Sequence, residues 1–274
     1  ISQLKGDKKE KIERKMVKLH QMLLVFSFLL VTDCLAEDPS AYYCNPQTTI
    51  TPGGPVSSNI DHLLAQVVQK FELGARFIKA SAGKGQSQVY GLAQCRGDVP
   101  PAECMGCIKD ASQHAQQLCS DKADVRVWYD HCFLRYSQEE FFGKVDTSNG
   151  VLFANVENVS DPDMFNKELG KLFDKINSEA VKPSSLGLGK DQKKLSDFDT
   201  LYGLSQCTRD LDSLSCAQCL AIAIQNFEGF CQDKKGCRVL YSSCYVRYEL
   251  YPFFYPLGSQ GSKGDPMKKW IIHN

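Results

Sequence analysis

The chain has 274 residues, 43% of them hydrophobic, with 32 basic against 32 acidic side chains and 13 cysteines. That length fits two domains, and a net charge of zero offers no basic surface of the kind a nucleic-acid ligand calls for. The cysteines are far more numerous than ordinary usage and require an explanation.

The sequence opens with a Lys-rich stretch, followed by the apolar run Leu23–Val31 and the small residues Cys34 and Ala36. This pattern predicts a leader and secretory signal over residues 1–36, cleaved after Ala36. The run is too short to span a bilayer comfortably, so no membrane anchor is expected. Cleavage would remove Cys34 and leave 12 cysteines, with 25 basic and 28 acidic residues.

A first domain is expected over residues 38–145. Apolar residues Ile60, Leu63, Leu64, Val67, Val68 and Phe71 recur at three- and four-residue spacing and predict a helix over 59–71. Residues 79–86 are small and polar and read as a loop, and 88–94 as a strand. A second helix should begin near Pro100, with Ile108, Ala111, Ala115 and Leu118 inward. Val125–Tyr136 is rich in β-branched and aromatic residues and reads as a strand, continuing towards Phe141 and Phe142. Asp146–Gly150 is a turn cluster that marks the boundary.

A second domain is expected over residues 148–257. Asp163 is expected to cap a helix that runs to Ala180, and 181–195 reads as a loop. Leu220, Ala223, Phe227 and Phe230 repeat the apolar face of the first domain's second helix, and 239–251 reads as strand. Residues 258–274 are polar and are expected to be disordered. Asn158-Val-Ser160 is a glycosylation sequon, meaningful in a secreted chain.

One stretch occurs twice. Tyr90-Gly-Leu-Ala-Gln-Cys95 is answered by Tyr202-Gly-Leu-Ser-Gln-Cys207, and cysteines 95, 104, 107, 119 and 132 by 207, 216, 219, 231 and 244. Each pair differs by 112 positions, so the chain contains a duplicated domain. The element order in each copy fits an antiparallel sheet with helices on one face, an α+β fold.

Three readings compete for the cysteines: zinc sites, thiol redox chemistry at the repeated C-x-x-C pairs, and a disulfide framework. A zinc ribbon would offer a second C-x-x-C or a His pair within each copy, but Cys119 and Cys132 stand alone, and His114 and His131 have no counterpart in the second copy. A thioredoxin-like site would carry an aromatic before its C-x-x-C, where Glu103 and Ser215 stand. Secretion and an even count favour disulfides. Cys44 has no partner in the second copy; its counterpart falls among Phe153–Val156. The second copy instead gains Cys237, where the first has Val125. One cysteine lost and one gained predicts that both serve the same partner, giving Cys44–Cys119 and Cys231–Cys237.

The C-x8-C-x2-C spacing, preceded by Tyr-Gly-Leu-Ala-Gln and followed by Arg-Val and Cys-x-x-Arg-Tyr, resembles the ginkbilobin-like domain of plants. Two such copies behind a secretory signal resemble a plant cysteine-rich repeat secretory protein. The resemblance covers residues 38–257. It implies that each domain packs two helices on a five-stranded antiparallel sheet and is stapled by three disulfides. It also implies the bridges Cys95–Cys104, Cys107–Cys132, Cys207–Cys216 and Cys219–Cys244. For ginkbilobin, an antifungal seed protein, the resemblance implies mannose recognition by an Asn, an Arg and a Glu. Carried over, domain one offers Asn45 and Arg126 but has Ser137 where Glu is expected. Domain two offers Arg238 and Glu249, with only Asn155 as a substitute for the Asn. The plainer reading makes Arg126 and Arg238 structural, each tying a strand to a nearby carbonyl or carboxylate.

The expected function is a secreted, non-enzymatic binding protein of plant defence or signalling in the apoplast. Its partner would be a cell-wall or microbial glycan, or a receptor ectodomain. No Ser/His/Asp order recurs in both copies, so no catalytic site, metal or cofactor is expected. An extracellular redox sensor using the C-x-x-C pairs is the alternative.

Overall fold

Proline at the first helical position opens three of the four helices found among the described residues, where its missing N–H costs nothing. The computed structural model describes residues 38–256 and the short strand Trp270–His273; the expected leader and signal, and most of the expected disordered tail, lie outside the described residues. In chain order the first domain holds β1 (Ala41–Cys44), α1 (Pro55–Glu72), β2 (Phe77–Ala82), β3 (Val89–Cys95), α2 (Pro101–Leu118), β4 (Val125–Trp128) and β5 (Cys132–Ser137). The second holds β6 (Val151–Asn155), α3 (Pro162–Ala180), β7 (Leu188–Lys194), β8 (Thr200–Cys207), α4 (Ser213–Phe230), β9 (Cys237–Leu240) and β10 (Cys244–Glu249). β11 (Trp270–His273) pairs with β6, so four residues of the expected disordered tail are strand.

Each domain is the expected antiparallel five-stranded sheet with two helices, in the order β1-β4-β5-β3-β2 and β6-β9-β10-β8-β7; β11 adds a sixth strand beside β6. Period-two alternation sends Val125, Val127, Leu134 and Tyr136 to the helix side of sheet one, where they meet Leu63, Val67 and Ile108. Val239, Val246 and Tyr248 do the same in sheet two, against Leu172, Ile176 and Leu220.

Several local expectations change. The helix α3 is capped by Asp161, whose carboxylate accepts from the Met164 amide, while Asp163 sits in the first turn. Leu118 is exposed at the end of α2, and Phe230 only half-buried at the end of α4, because both faces run out before the last turn. The two long C-terminal strand readings each break at a tight turn into a hairpin, β4–β5 and β9–β10. Residues 79–86 and 181–195, read as loops, contribute the edge strands β2 and β7.

Edge strand β7 lies unusually close to α3. A Cβ on Gly189 would stand 2.0 Å from the Ile176 carbonyl oxygen and 3.1 Å from the Ala180 amide nitrogen. Both obstacles are backbone, so only glycine fits. The equivalent position of domain one is Ile78, so this approach belongs to domain two alone. Gly189→Ala is expected to destabilise the protein by about 3 kcal/mol through backbone displacement, readable as a fall in denaturation midpoint. An unchanged midpoint would disprove the contact.

All 12 described cysteines are bridged. Cys44 pairs with Cys119, and Cys231 with Cys237. The strand register explains the exchange. Cys44 stands opposite Val125, and Ala154 opposite Cys237, so the bridge to the helix end has moved to the neighbouring strand. The remaining bridges are Cys95–Cys104, Cys107–Cys132, Cys207–Cys216 and Cys219–Cys244. Cys104 and Cys107 therefore bond to β3 and β5, not to one another, and the same holds for Cys216 and Cys219. The C-x-x-C pairs contain no dithiol for redox chemistry.

Candidate functional site between the sheets

The faces of the two sheets that point away from the helices are turned towards each other. Trp128 and Phe133 from domain one pack with Val151, Phe153 and Leu240 from domain two. The joint is reciprocal. Gln94 donates to the Cys207 carbonyl at 2.9 Å and accepts from the Arg209 amide at 2.8 Å. Its equivalent, Gln206, donates to the Cys95 carbonyl at 3.2 Å and accepts from the Gly97 amide at 2.9 Å. Gln94 and Gln206 stand one residue before a bridged cysteine in the repeated motif, and each closes two backbone groups of the other domain. The pairing is that of a two-fold dimer fused into one chain.

The carried-over residues lie on these same faces. In domain one Arg126 is 4% exposed. Its Nε donates to Ser242 Oγ across the joint at 2.7 Å. Its Nη1 forks onto both Asp124 oxygens at 3.1 and 3.2 Å, and its Nη2 reaches Asp146 Oδ2 at 3.0 Å. Asn45 Nδ2 donates to Asp124 Oδ2 at 3.0 Å, and Arg135 Nη2 meets Asp146 Oδ2 at 2.9 Å. Ser137 is buried, its hydroxyl accepting from the Glu139 amide.

In domain two Arg238 Nη1 reaches across to Asp130 Oδ1 at 2.6 Å. Asp130 occupies the position equivalent to Ser242, so each arginine grips the same place in the other domain. Arg247, equivalent to Arg135, meets Asp130 at 3.3 Å and Glu249 at 2.9 Å. Glu249 is 0% exposed. Asn155 is buried, its side-chain oxygen accepting from the Glu157 amide; the Asn45 side chain makes the same turn with Gln47.

Each cluster thus holds two guanidinium groups and two carboxylates, contributed from different positions. Where Glu249 stands in domain two, domain one has Ser137; where Asp124 stands in domain one, domain two has Gly236. The two changes compensate, since a Cβ on Gly236 would lie 2.1 Å from Glu249 Oε2. Domain one therefore has its carboxylates after all, in Asp124 and Asp146.

Burial would raise the Asp130 carboxyl, but the charges of Arg238, Arg247 and Arg96 outweigh it and hold the group well below the usual carboxylate range. Glu249 goes the other way: complete burial pushes it up despite Arg247 and Arg238 beside it. For Asp146, burial raises and the Ser148, Arg135 and Arg126 contacts lower; the contacts win. Asn158 is exposed, where a sequon is accessible, and its side-chain oxygen accepts from Lys234 Nζ.

Sequence reasoning missed Asp124, Asp130, Asp146, Arg135 and Arg247. The signal was present for the two arginines, which fill the repeated Cys-x-x-Arg-Tyr. For Asp124 it lay in reading positions 124 and 137 of one copy jointly with 236 and 249 of the other.

The sequence model of the family described as "Salt stress response/antifungal" matches residues 43–139 and 153–251. Cysteine-rich repeat secretory protein 55 of Arabidopsis thaliana is 52% identical over 241 residues, covering 86% of this chain and 92% of that protein. The antimicrobial ginkbilobin-2-like protein of Castanea crenata is 38% identical over 232 residues, 83% of this chain and 95% of that protein. The solved tandem DUF26 ectodomain of the Arabidopsis thaliana cysteine-rich receptor-like protein PDLP8 superposes with a TM-score of 0.66 at 29% identity, covering 78% of this chain and 98% of that one. No described helix is long and apolar enough to cross a membrane. Matched in both halves, the chain belongs to the salt stress response/antifungal family, as a secreted, extracellular protein of two tandem domains.

Proposed function

We propose that this protein is a non-enzymatic recognition module of plant defence or signalling whose ligand is another protein, a receptor ectodomain being the partner class. One observation carries the choice of protein over glycan: the residues a mannose site would need are spent on joining the domains. Arg126, Arg238 and Glu249 are each at most 8% exposed and already hold carboxylates, a hydroxyl or guanidinium groups of the same chain. A sugar hydroxyl would have to displace charge-assisted bonds in a buried site, each contributing about 1.5–3 kcal/mol. The receptor-like names among the relatives show this domain pair used there as an ectodomain, which supports a role in recognition outside the cell.

The reading has a direct test. Mannose titrated calorimetrically into the folded protein is expected to give no saturable heat. Ser137→Glu, which restores the family's carboxylate, is expected to create no mannose site and to lower the melting temperature, because it adds a third acid beside Asp124 and Asp146. Receptor ectodomains immobilised on a sensor are expected to capture the protein saturably. Tight mannose binding lost in Arg126→Ala, with no ectodomain bound, would overturn the proposal in favour of a glycan.

A further inference from the structure

The two ends of the domain joint are unequal. Arg209 sits at one end, and the equivalent place at the other end is Gly97. Arg76 flanks Arg209, and its own equivalent is Gly187, since the carbonyls of Arg76 and Gly187 accept from Cys95 and Cys207 in the same way. At the glycine end the space is filled: a Cβ on Gly97 would stand 2.8 Å from Leu188 Cδ2. The joint therefore closes without arginine at these positions, which argues against a purely structural role for them.

The charges at the arginine end are also unusual. Among the described residues, Arg96, Arg126, Arg135, Arg238 and Arg247 each meet a carboxylate. Arg76 has none: its Nη2 donates to the carbonyls of Arg96 and Val99. Arg209 has none either, and its buried Nε finds no hydrogen-bond acceptor. A buried donor without an acceptor is costly, and a guanidinium more so. Burial first, and then the positive charge of Arg76, pull the Arg209 guanidinium below the usual arginine range.

Arg209 borders a cavity of about 130 Å³, shared with Lys182, Gly187, Thr208 and Ser213. That is several times the ~30 Å³ share of one water molecule. Asp212 also borders it, but its carboxylate is turned to the Ser215 amide at 2.7 Å and caps α4. Lys182 is held by Glu179 at 2.5 Å. The arginine pair is the charge left without an opposite.

We propose that Arg209, with Arg76 beside it and the adjoining cavity, forms an oxyanion-binding site at one end of the domain joint, taking a carboxylate, sulfate or phosphate group of a small ligand. Arginine suits this class because its planar fork matches two oxygens at once. The proposal does not depend on the protein-ligand reading.

The test uses the secreted chain in sulfate, phosphate or galacturonate, each against sodium chloride of matched ionic strength. At least one oxyanion is expected to raise the melting temperature above the chloride control and to bind saturably by calorimetry. Arg209→Gln should weaken binding roughly tenfold or more, and Arg76→Gln by a smaller factor. A response to galacturonate identifies a carboxylate group; a response confined to sulfate or phosphate identifies a tetrahedral one. Should Arg209→Gln fail to fold, amide shifts in the wild-type protein on adding the anion should cluster at Gly187, Thr208 and Ser213. No response beyond chloride, undiminished binding in a folded Arg209→Gln, or shifts clustered elsewhere would each overturn the proposal.

Discussion

Asp130→Ala is expected to be among the most damaging single substitutions outside the cysteines, costing about 3–5 kcal/mol of stability. Asp130 is a domain-one residue that neutralises two domain-two arginines, at 2.6 Å to Arg238 and 3.3 Å to Arg247. Arg247 is 1% exposed and Arg238 8%, so neither can turn to water when the carboxylate goes. Glu249 would remain as the only acid of the cluster. Asp130→Ser, which copies the equivalent Ser242, should be nearly as harmful, because Arg126 at that end has Asp124 and Asp146 of its own. A denaturation midpoint within 1 kcal/mol of wild type for both variants would show that the cluster does not hold the domains.

The same residue sets a pH dependence. Its folded-state carboxyl lies below the ordinary aspartate value of about 4, so its contribution is complete above that pH and is lost as pH falls through and below it. Asp98 and Asp146 are lowered too and act in the same direction. Glu249 acts in the opposite direction: its raised value favours the protonated folded form, a contribution present at low pH and lost as pH rises. The wild-type midpoint should therefore fall on acidification below about pH 4, and the fall should be shallower in Asp130→Ala.

What could be read in the sequence follows from what each element depends on. Helices α1 and α3 are set by one apolar stripe against one sheet, so Ile60–Phe71 and Phe165–Ile176 announced themselves. The duplicated cysteine register located both domains, and the mismatch of Cys44 and Cys237 disclosed the exchanged bridge. Strand β7 reads Leu188-Gly-Lys-Asp-Gln-Lys-Lys194 and carries almost no apolar signal. It is strand because β8 supplies hydrogen bonds along its length, and an edge strand rich in lysine resists pairing with other chains. β2 does carry apolar residues in Phe77 and Ile78, but its remainder, Lys79-Ala-Ser-Ala82, is small and polar and runs into the Gly-rich turn, which is why it reads as loop. The candidate site was legible in part: a structural role for Arg126 and Arg238 named carboxylate ties, which Asp124, Asp146 and Asp130 supply, but not that each arginine also reaches the other domain. Arg126 and Arg238 alternate with apolar residues, which by itself signals a solvent-facing side of a sheet. Here a second domain covers that side, and no one-domain pattern contains that fact.

Cys119→Ser should cost distinctly more stability than Cys231→Ser, although the two cysteines end equivalent helices. Cys44–Cys119 spans 75 residues and pins β1 to the end of α2, while Cys231–Cys237 spans only 6. The chain-entropy argument assigns about 4 kcal/mol to the long loop and about 2 to the short one. Both sites are equally buried, Cys119 and Cys231 each at 1%, so loss of packing should be similar and the difference should report the loop. The double variants Cys44→Ser/Cys119→Ser and Cys231→Ser/Cys237→Ser remove the unpaired thiol from the comparison. Their denaturation midpoints, measured under non-reducing conditions, should differ by about 2 kcal/mol in the same order. If the short bridge proves the more costly to lose, its contribution lies in the folded state, where it ties the end of α4 to β9, and loop entropy is not what separates the two domains.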